Sequence, residues 1–262
     1  MKKLTIGSIQ KRKGAQPLVM ITAYDALFAR LFTESADILL VGDSLNMSFG
    51  GNPDTLSITM DQMIYHTNAV CKGAPNTFVI TDMPFGSYID ETTAFANAMR
   101  VYRETPADAV KIEGGADKAH LVHYLTSNGI AVCGHIGLLP QAVRAEGGYK
   151  VKGKTEDEAL SLIADAQALE KAGAFILVIE GVKADVATRV AQSVSIPVIG
   201  IGAGNGVDGQ VLVFSDMLGL YEPFVPKFVK QYMGGATAVK EAVSNYKTEV
   251  QNRGFPSDEY IY

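Results

Sequence analysis

Short runs of apolar, β-branched residues recur along the chain, and polar segments with helical spacing separate most of them. Eight such runs can be read, at residues 17–23, 37–42, 77–82, 109–114, 130–135, 174–180, 196–202 and 210–214. Runs that are apolar nearly throughout, without alternating polar positions, are typical of strands that are buried on both faces of a parallel sheet. The pattern therefore predicts eight buried parallel strands.

The segments between these runs carry the signals that start and stop helices. Thr155 with Glu158 three residues later predicts a capping box at the start of a helix that ends near residue 173, and Thr59 with Gln62 predicts a second one. The remaining helices are predicted at residues 25–35, 92–104, 117–128 and 184–193. Strands and helices thus alternate along most of the chain.

This alternation predicts an α/β protein with one domain, a (β/α)8 TIM barrel over residues 1–262 with a short N-terminal extension and a C-terminal helical tail. A doubly wound open sheet uses the same buried parallel strands, so the hydrophobic pattern leaves that architecture as an alternative. The seventh connection, residues 203–209, is short, which predicts that one outer helix is missing or reduced.

Composition narrows the class of protein. The chain has 262 residues and 47% hydrophobic content, enough to bury a full core, and a net charge of −5 without a dense Lys/Arg block, which argues against nucleic-acid binding. No apolar stretch is long enough for a secretion signal or a membrane span, so we expect a soluble, cytoplasmic protein without a membrane partner. The two cysteines, Cys71 and Cys133, are predicted to be reduced core thiols.

Four acidic residues stand at or just past the downstream ends of apolar runs: Asp43, Asp82, Glu113 and Glu180. In a barrel these ends share one mouth, so the four carboxylates are expected to meet in one pocket. Asp43, Asp82 and Glu113 offer oxygen ligands without neighbouring cysteines or paired histidines. That ligand set favours Mg2+ over zinc and leaves coordination positions for substrate oxygens and water.

Three residues near this mouth have further candidate roles in binding or catalysis. Lys111 and Glu113 lie two apart on one strand and share a face, so Lys111 is placed either to neutralise an anionic substrate or to form a buried ion pair. Glu180 follows an apolar run and suits a general base that takes a proton from carbon, although a helix cap before Ala184 is also open. His135 ends the fifth run and is either structural or catalytic.

Linked motifs then give the chain a family resemblance. They read ITAYD (21–25), LLVGDSL (39–45), DMPF (82–85), VKIEGG (110–115), GHIGLLPQ (134–141), GGYKVKG (147–153) and PVIGIGAGNGVDGQVLV (197–213). In this order and spacing they resemble the ketopantoate hydroxymethyltransferase family, and the resemblance extends over nearly the whole chain.

The resemblance implies a (β/α)8 barrel that transfers a hydroxymethyl group from 5,10-methylenetetrahydrofolate to 3-methyl-2-oxobutanoate. The product is 2-dehydropantoate, in pantothenate biosynthesis, and Mg2+ assists the enolisation. Glu180 matches the proton acceptor, and the metal-site acids match Asp43, Asp82 and Glu113. The positions that match substrate contacts are Asp43, Ser44, Asp82, Lys111 and His135. The resemblance also implies a homo-oligomer, in this family a decamer.

Two other functions remain open at this point. The first is a Mg2+-dependent lyase or mutase of the isocitrate lyase type, which makes or breaks carbon–carbon bonds in 2-oxo acids without folate. The second is a non-catalytic protein in which the glycine-rich segment 200–206 binds a phosphorylated metabolite and the acids are structural.

Overall fold

Eight parallel strands pair in chain order, and the first also pairs with the last, so the sheet closes into a barrel. The computed structural model describes residues 3–262, and Met1 and Lys2 of the predicted N-terminal extension lie outside it. The strands are β1 Leu18–Thr22, β2 Ile38–Val41, β3 Phe78–Asp82, β4 Ala109–Glu113, β5 Val132–Gly137, β6 Ile176–Glu180, β7 Val198–Ile201 and β8 Gly209–Leu212. The predicted (β/α)8 barrel is confirmed, and the open sheet is excluded.

Helices precede, separate and follow the strands along the chain. They are α1 Ile6–Gln10, α2 Ala26–Phe32, α3 Leu45–Ser48, α4 Met60–Gly73, α5 Glu91–Glu104, α6 Ala119–Ser127, α7 Val143–Glu146, α8 Glu156–Lys171, α9 Ala184–Ser193, α10 Phe214–Met217 and α11 Gly235–Gln251. Short 3-10 helices lie at Ala116–Lys118, Pro140–Ala142 and Asp258–Tyr260. Residues 202–208, all described by the structure, contain no helix, so the predicted reduction of the seventh connection is confirmed.

The two predicted capping boxes have different outcomes. At the start of α4, the Thr59 hydroxyl accepts from the Gln62 N–H at 3.3 Å and the Thr59 N–H donates to Gln62 Oε1 at 2.9 Å, so the box is complete. At the start of α8, Thr155 accepts from the Glu158 N–H, but Glu158 Oε2 accepts from the N–H of Lys154, one residue earlier. A capping box also requires the Thr155 N–H to donate to Glu158, and this part of the prediction is wrong because the Lys154 N–H donates to the Glu158 carboxylate instead.

The inside of the barrel is apolar at the end where the strands begin. Ile9 of α1 is fully buried and belongs to one cluster with the inward-facing strand residues Leu18, Met20, Ile38, Phe78 and Ile176. Because α1 precedes β1 and contributes to this cluster, it closes the N-terminal end of the barrel. Polar chemistry is therefore confined to the opposite rim, where parallel-barrel enzymes have their active sites.

Both cysteines are free and buried, as predicted. Burial raises the pKa of the Cys71 thiol to about 11 and that of Cys133 to about 12. Because the thiolate is the nucleophilic form, both thiols are inert at neutral pH.

The chain divides into two compact units, with the boundary between Val213 and Phe214. In the second unit, the N–H of Gly235 donates to the carbonyl of Leu218 at 2.9 Å and so joins α11 to the segment after α10. The predicted single domain over residues 1–262 stays a prediction. None of the helices within residues 3–262 has the length and apolarity needed to cross a bilayer.

Candidate active site

The four predicted acidic residues lie on the rim formed by the C-terminal ends of the strands. Asp82, Glu113 and Glu180 are the last residues of β3, β4 and β6, and Asp43 lies two residues beyond the end of β2. Since all the strands are parallel in one closed barrel, these positions share one mouth. Burial then distinguishes them, because Asp43, Asp82 and Glu113 are buried whereas the Glu180 side chain is 19% exposed.

Lys111 is the cation at the centre of this cluster. Its Nζ lies 3.3 Å from Asp82 Oδ1, 3.6 Å from Glu113 Oε1 and 3.1 Å from His135 Nδ1, and its side chain is 4% exposed. Burial alone lowers the pKa of the ammonium, but Asp82, Glu113 and Asp43 outweigh burial and raise it. Lys111 therefore stays charged, and the predicted strand neighbours Lys111 and Glu113 do form a buried ion pair.

One lysine does not neutralise three buried carboxylates. Burial, followed by repulsion from Asp82 and Glu113, raises the pKa of Asp43 well above its usual range. Burial also raises the pKa of Asp82, although Lys111 opposes the shift. Burial alone would raise the pKa of Glu113 too, but Lys111 and His135 outweigh burial there and lower it. Ionisation of Asp43 and Asp82 is thus disfavoured with Lys111 as the nearby cation, and added positive charge beside them would favour it.

His135 connects this buried cluster to Glu180. It lies within β5, two residues before the end of the strand at Gly137, so the prediction that it ends the strand is wrong by two residues. Its Nε2 lies 3.3 Å from Glu180 Oε2. Burial and Lys111 oppose protonation of His135, but the Glu113 and Glu180 carboxylates outweigh them and raise its pKa.

The alternative role of Glu180 as a helix cap is not observed. The N-cap residue of α9 is Lys183, three residues further along the chain, and its side chain makes no capping hydrogen bond. The Glu180 carboxylate instead lies beside His135, with part of its surface in contact with solvent. It is therefore accessible from the barrel mouth.

Ser44 lies beside Asp43 at the start of α3, a one-turn helix that sequence analysis did not predict. Its hydroxyl is 2.9 Å from the Tyr24 hydroxyl, to which Thr22 Oγ1 donates at 3.1 Å. Tyr24 was not predicted as a site residue. The signal available was its position two residues beyond the end of β1, the same relative position that Asp43 has after β2.

Gln141 is the second residue that sequence analysis missed. Its backbone N–H donates to Glu113 Oε2 at 3.0 Å, and its side-chain Nε2 donates to Asp43 Oδ2 at 2.8 Å and to the carbonyl of Met83 at 3.0 Å. The Tyr88 hydroxyl donates to Gln141 Oε1. One residue thus joins the ends of three strands. Its sequence signal is its place after β5, as the last residue of the motif GHIGLLPQ (134–141).

The segment of residues 147–153 contacts residues that follow β2 and β6. The N–H of Lys152 donates to the carbonyl of Gly181 at 2.8 Å, directly after Glu180, and the Tyr149 hydroxyl donates to Met47 Sδ at 3.6 Å. Burial, and after it the Glu180 carboxylate, raise the pKa of Tyr149. The segment is thereby joined to the segments after β2 and β6.

Comparison with known proteins identifies the family. A family model described as ketopantoate hydroxymethyltransferase matches residues 3–258. The chain belongs to the ketopantoate hydroxymethyltransferase family. Within this family, the 3-methyl-2-oxobutanoate hydroxymethyltransferase of Sulfurimonas denitrificans is 68% identical over 261 residues, which cover 100% of this chain and 99% of that protein. The chain is accordingly an enzyme, a one-carbon transferase.

Solved structures resemble the barrel of this ketopantoate hydroxymethyltransferase family member at low sequence identity. Phosphonopyruvate hydrolase in complex with oxalate and Mg2+ has a TM-score of 0.63 at 13% identity and covers 100% of this chain and 92% of that chain. A 2,3-dimethylmalate lyase, a PEP mutase/isocitrate lyase superfamily member, also has a TM-score of 0.63, at 16% identity, over 98% of this chain and 87% of that chain. These likenesses show a shared fold.

The site of this hydroxymethyltransferase family member fits a divalent cation with an incomplete set of protein ligands. Across residues 3–262, no group of three or more His, Cys, Asp or Glu side chains is placed so that it could hold a metal ion by itself. However, Asp82 Oδ1 is buried with no hydrogen bond and with the Lys111 ammonium 3.3 Å away, and Asp82 Oδ2 accepts from the N–H of Asp43 at 3.1 Å. The site thus has adjacent carboxylates in excess of the nearby positive charge, but few protein ligands for a cation. Such a site suits a hard cation that also binds water or substrate oxygens.

Proposed function

We propose that this enzyme transfers a hydroxymethyl group from 5,10-methylenetetrahydrofolate to 3-methyl-2-oxobutanoate, giving 2-dehydropantoate in pantothenate biosynthesis. The observation that carries the proposal is the excess of buried carboxylate around Lys111, with the accessible Glu180 carboxylate at its edge. The name of the relative that is 68% identical supports the same reaction. We propose Mg2+ as the cation, held by Asp43, Asp82 and Glu113.

In this proposal Glu180 accepts the proton from C3 of the oxo acid. A positioned general base of this kind contributes about 10²- to 10⁴-fold to the rate. His135, 3.3 Å from the Glu180 carboxylate, orients it. Lys111 and Ser44 bind the anionic oxo acid. The bound cation supplies positive charge beside the oxygen on which negative charge develops as the proton leaves. The deprotonated C3 then forms the new carbon–carbon bond with the methylene carbon, whose two carbon–nitrogen bonds to the folate break. Water supplies the hydroxyl oxygen, and tetrahydrofolate leaves with the C3 proton and one water proton on its two nitrogens.

A product assay tests this function directly. Purified enzyme with Mg2+, 5,10-methylenetetrahydrofolate and 3-methyl-2-oxobutanoate is expected to give the mass of 2-dehydropantoate, and omission of the folate should abolish that mass. Turnover of a 2-oxo acid without folate, with cleavage of a carbon–carbon bond, would contradict the proposal and favour the lyase or mutase alternative.

The Asp43→Asn variant tests the proposed metal site. Loss of a residue that only orients a metal ligand typically lowers metal affinity by roughly 10- to 100-fold. Because Asp43→Asn changes a proposed ligand itself, we expect its affinity for Mg2+ to fall by more than that. The metal-free variant should melt at a higher temperature than the parent at neutral pH, because a buried charge is removed while the new side-chain amide oxygen can still accept from Gln141 Nε2. Isothermal titration with Mg2+ and thermal melting in chelator measure the two effects.

The sign of that stability effect depends on pH. Burial raises the folded-state pKa of Asp43, so in the metal-free parent this residue reduces stability as pH rises from the ordinary carboxyl range near about 4 towards neutrality. The advantage of the variant should therefore be smallest in acid. An unchanged Mg2+ affinity in the variant would remove Asp43 from the metal site.

The homo-oligomer, the decamer and the cytoplasmic location remain proposals. One observation supports contact with another copy of the chain. On α11, exposed apolar side chains recur at intervals of three and four residues, which places Val239, Val243, Tyr246 and Val250 on one face of the helix.

A further inference from the structure

We propose that Gln141, held in one orientation by Tyr88, is a positioning residue that fixes the Asp43 and Glu113 carboxylates for metal binding. This inference rests on the metal site in the proposed function and assigns a role to two residues outside it. Among the hydrogen bonds described for residues 3–262, none joins Gln141 to the proposed base Glu180. Its role therefore concerns how the site binds the cation rather than how the proton moves.

The position of Gln141 suits this role. Its side chain is buried, 7% exposed, and it lies in the 3-10 helix Pro140–Ala142 directly after the loop that leaves β5. The backbone N–H holds one oxygen of Glu113, while the side-chain amide holds one oxygen of Asp43. Each contact occupies the Oε2 or Oδ2 atom of its carboxylate. The hydrogen bond from Gln141 therefore fixes the orientation of the Asp43 carboxylate and leaves its other oxygen, Oδ1, available to a cation.

The hydrogen-bond network permits only one orientation of the Gln141 amide. The nitrogen faces two acceptors, Asp43 Oδ2 and the Met83 carbonyl, whereas the oxygen faces the Tyr88 hydroxyl. With Asp43 ionised, as cation binding requires, a rotation of the amide by half a turn would place its oxygen against a carboxylate and a carbonyl, with no donor for either.

Tyr88 is therefore the group that makes the orientation stable. It is buried, 7% exposed, and lies in the segment between β3 and α5, so it approaches Gln141 from a different part of the rim. Without its hydroxyl, the amide oxygen of Gln141 would be buried without a donor, and the preference for one rotamer would weaken. Loss of a residue that orients a metal ligand through a hydrogen bond typically lowers metal affinity by about 10- to 100-fold.

Titration with Mn2+, followed by electron paramagnetic resonance of the free ion, tests the inference without oxo acid or folate. We expect Gln141→Met to raise the Kd for Mn2+ by about 10- to 100-fold. Tyr88→Phe should raise it in the same direction but less. The double variant should bind no more weakly than Gln141→Met alone, because Tyr88 acts through Gln141. Thermal melting of each variant shows whether it is folded.

The matched control is Gln167→Met, at an exposed position of α8 where Nε2 contacts only the Ser193 carbonyl at 3.5 Å. It should keep the parental Kd. A purely structural role for Gln141 would lower the melting temperature but leave the Kd at the parental value, and that result would overturn the inference. So would additive losses in the double variant. Failure of the parent itself to bind Mn2+ would overturn the metal site of the proposed function together with this inference.

Discussion

The Glu180→Gln variant is expected to exchange the C3 proton of 3-methyl-2-oxobutanoate with solvent about 10²- to 10⁴-fold more slowly than the parent. The amide has nearly the size of the carboxylate but cannot accept the proton. The residue is the last of β6 and its carboxylate is partly exposed at the mouth, so the substitution disturbs neither the buried carboxylates nor Lys111. Proton NMR in deuterated water, with Mg2+ and without folate, follows the exchange.

Two comparisons make the result specific. Mg2+ affinity should be close to parental in Glu180→Gln, because Glu180 is not among the proposed ligands. Glu34→Gln, an exposed carboxylate just after α2, should exchange at the parental rate. Parental exchange by Glu180→Gln would exclude Glu180 as the base, and the proton would then have to leave to another group at the mouth.

The barrel was predictable because its strands are buried on both faces. The predicted run 109–114 and the strand Ala109–Glu113 differ by one residue, since a continuous apolar run has no other stable placement in a (β/α)8 fold. The one-turn helix α3 was missed because four residues are too few to show helical periodicity. The closure of the sheet, which hydrophobicity leaves open, required the pairing of β1 with β8.

The site was predictable only as far as strand positions determine it. A residue at the end of a buried parallel strand must face the rim, so Asp82 and Glu113 follow from the pattern alone. Gln141 does not follow, because a loop residue after Pro140 can point in many directions and its contacts with Asp43, Glu113 and Tyr88 depend on tertiary packing. Sequence spacing carries no information about such contacts.

No sequence motif shows how the charge of Lys111 compares with that of the carboxylates around it. Sequence analysis left open whether Lys111 binds substrate or forms an ion pair, and the structure places its ammonium within 3.6 Å of both Asp82 and Glu113. These two roles are compatible. A lysine that is held by two buried carboxylates is fixed in place and still leaves the site with an excess of negative charge, which a cation can balance.

Loss of the Lys111 charge is therefore expected to destabilise the metal-free enzyme severely. We expect Lys111→Met to reduce the free energy of unfolding at neutral pH by about 3–5 kcal/mol, the range for removal of one partner from a buried ion pair. The methionine fills a similar volume, so most of the loss comes from buried carboxylates that no longer have a counter-charge. Urea denaturation in the presence of a chelator measures it, with Lys72→Met, an exposed lysine of α4, as the control expected within about 0.5 kcal/mol of the parent.

The pH dependence of this loss follows from the carboxylates. Burial already raises the pKa of Asp43 and of Asp82, and removal of Lys111 takes away the cation that opposes both shifts. A carboxyl group with a raised folded-state pKa binds its proton more tightly in the folded protein, so stability falls as pH rises from the ordinary range near about 4. The deficit of Lys111→Met should accordingly be smaller at about pH 5 than at about pH 7.5, and Mg2+ should restore part of it. A deficit that is independent of both pH and Mg2+ would mean that Lys111 contributes packing rather than charge.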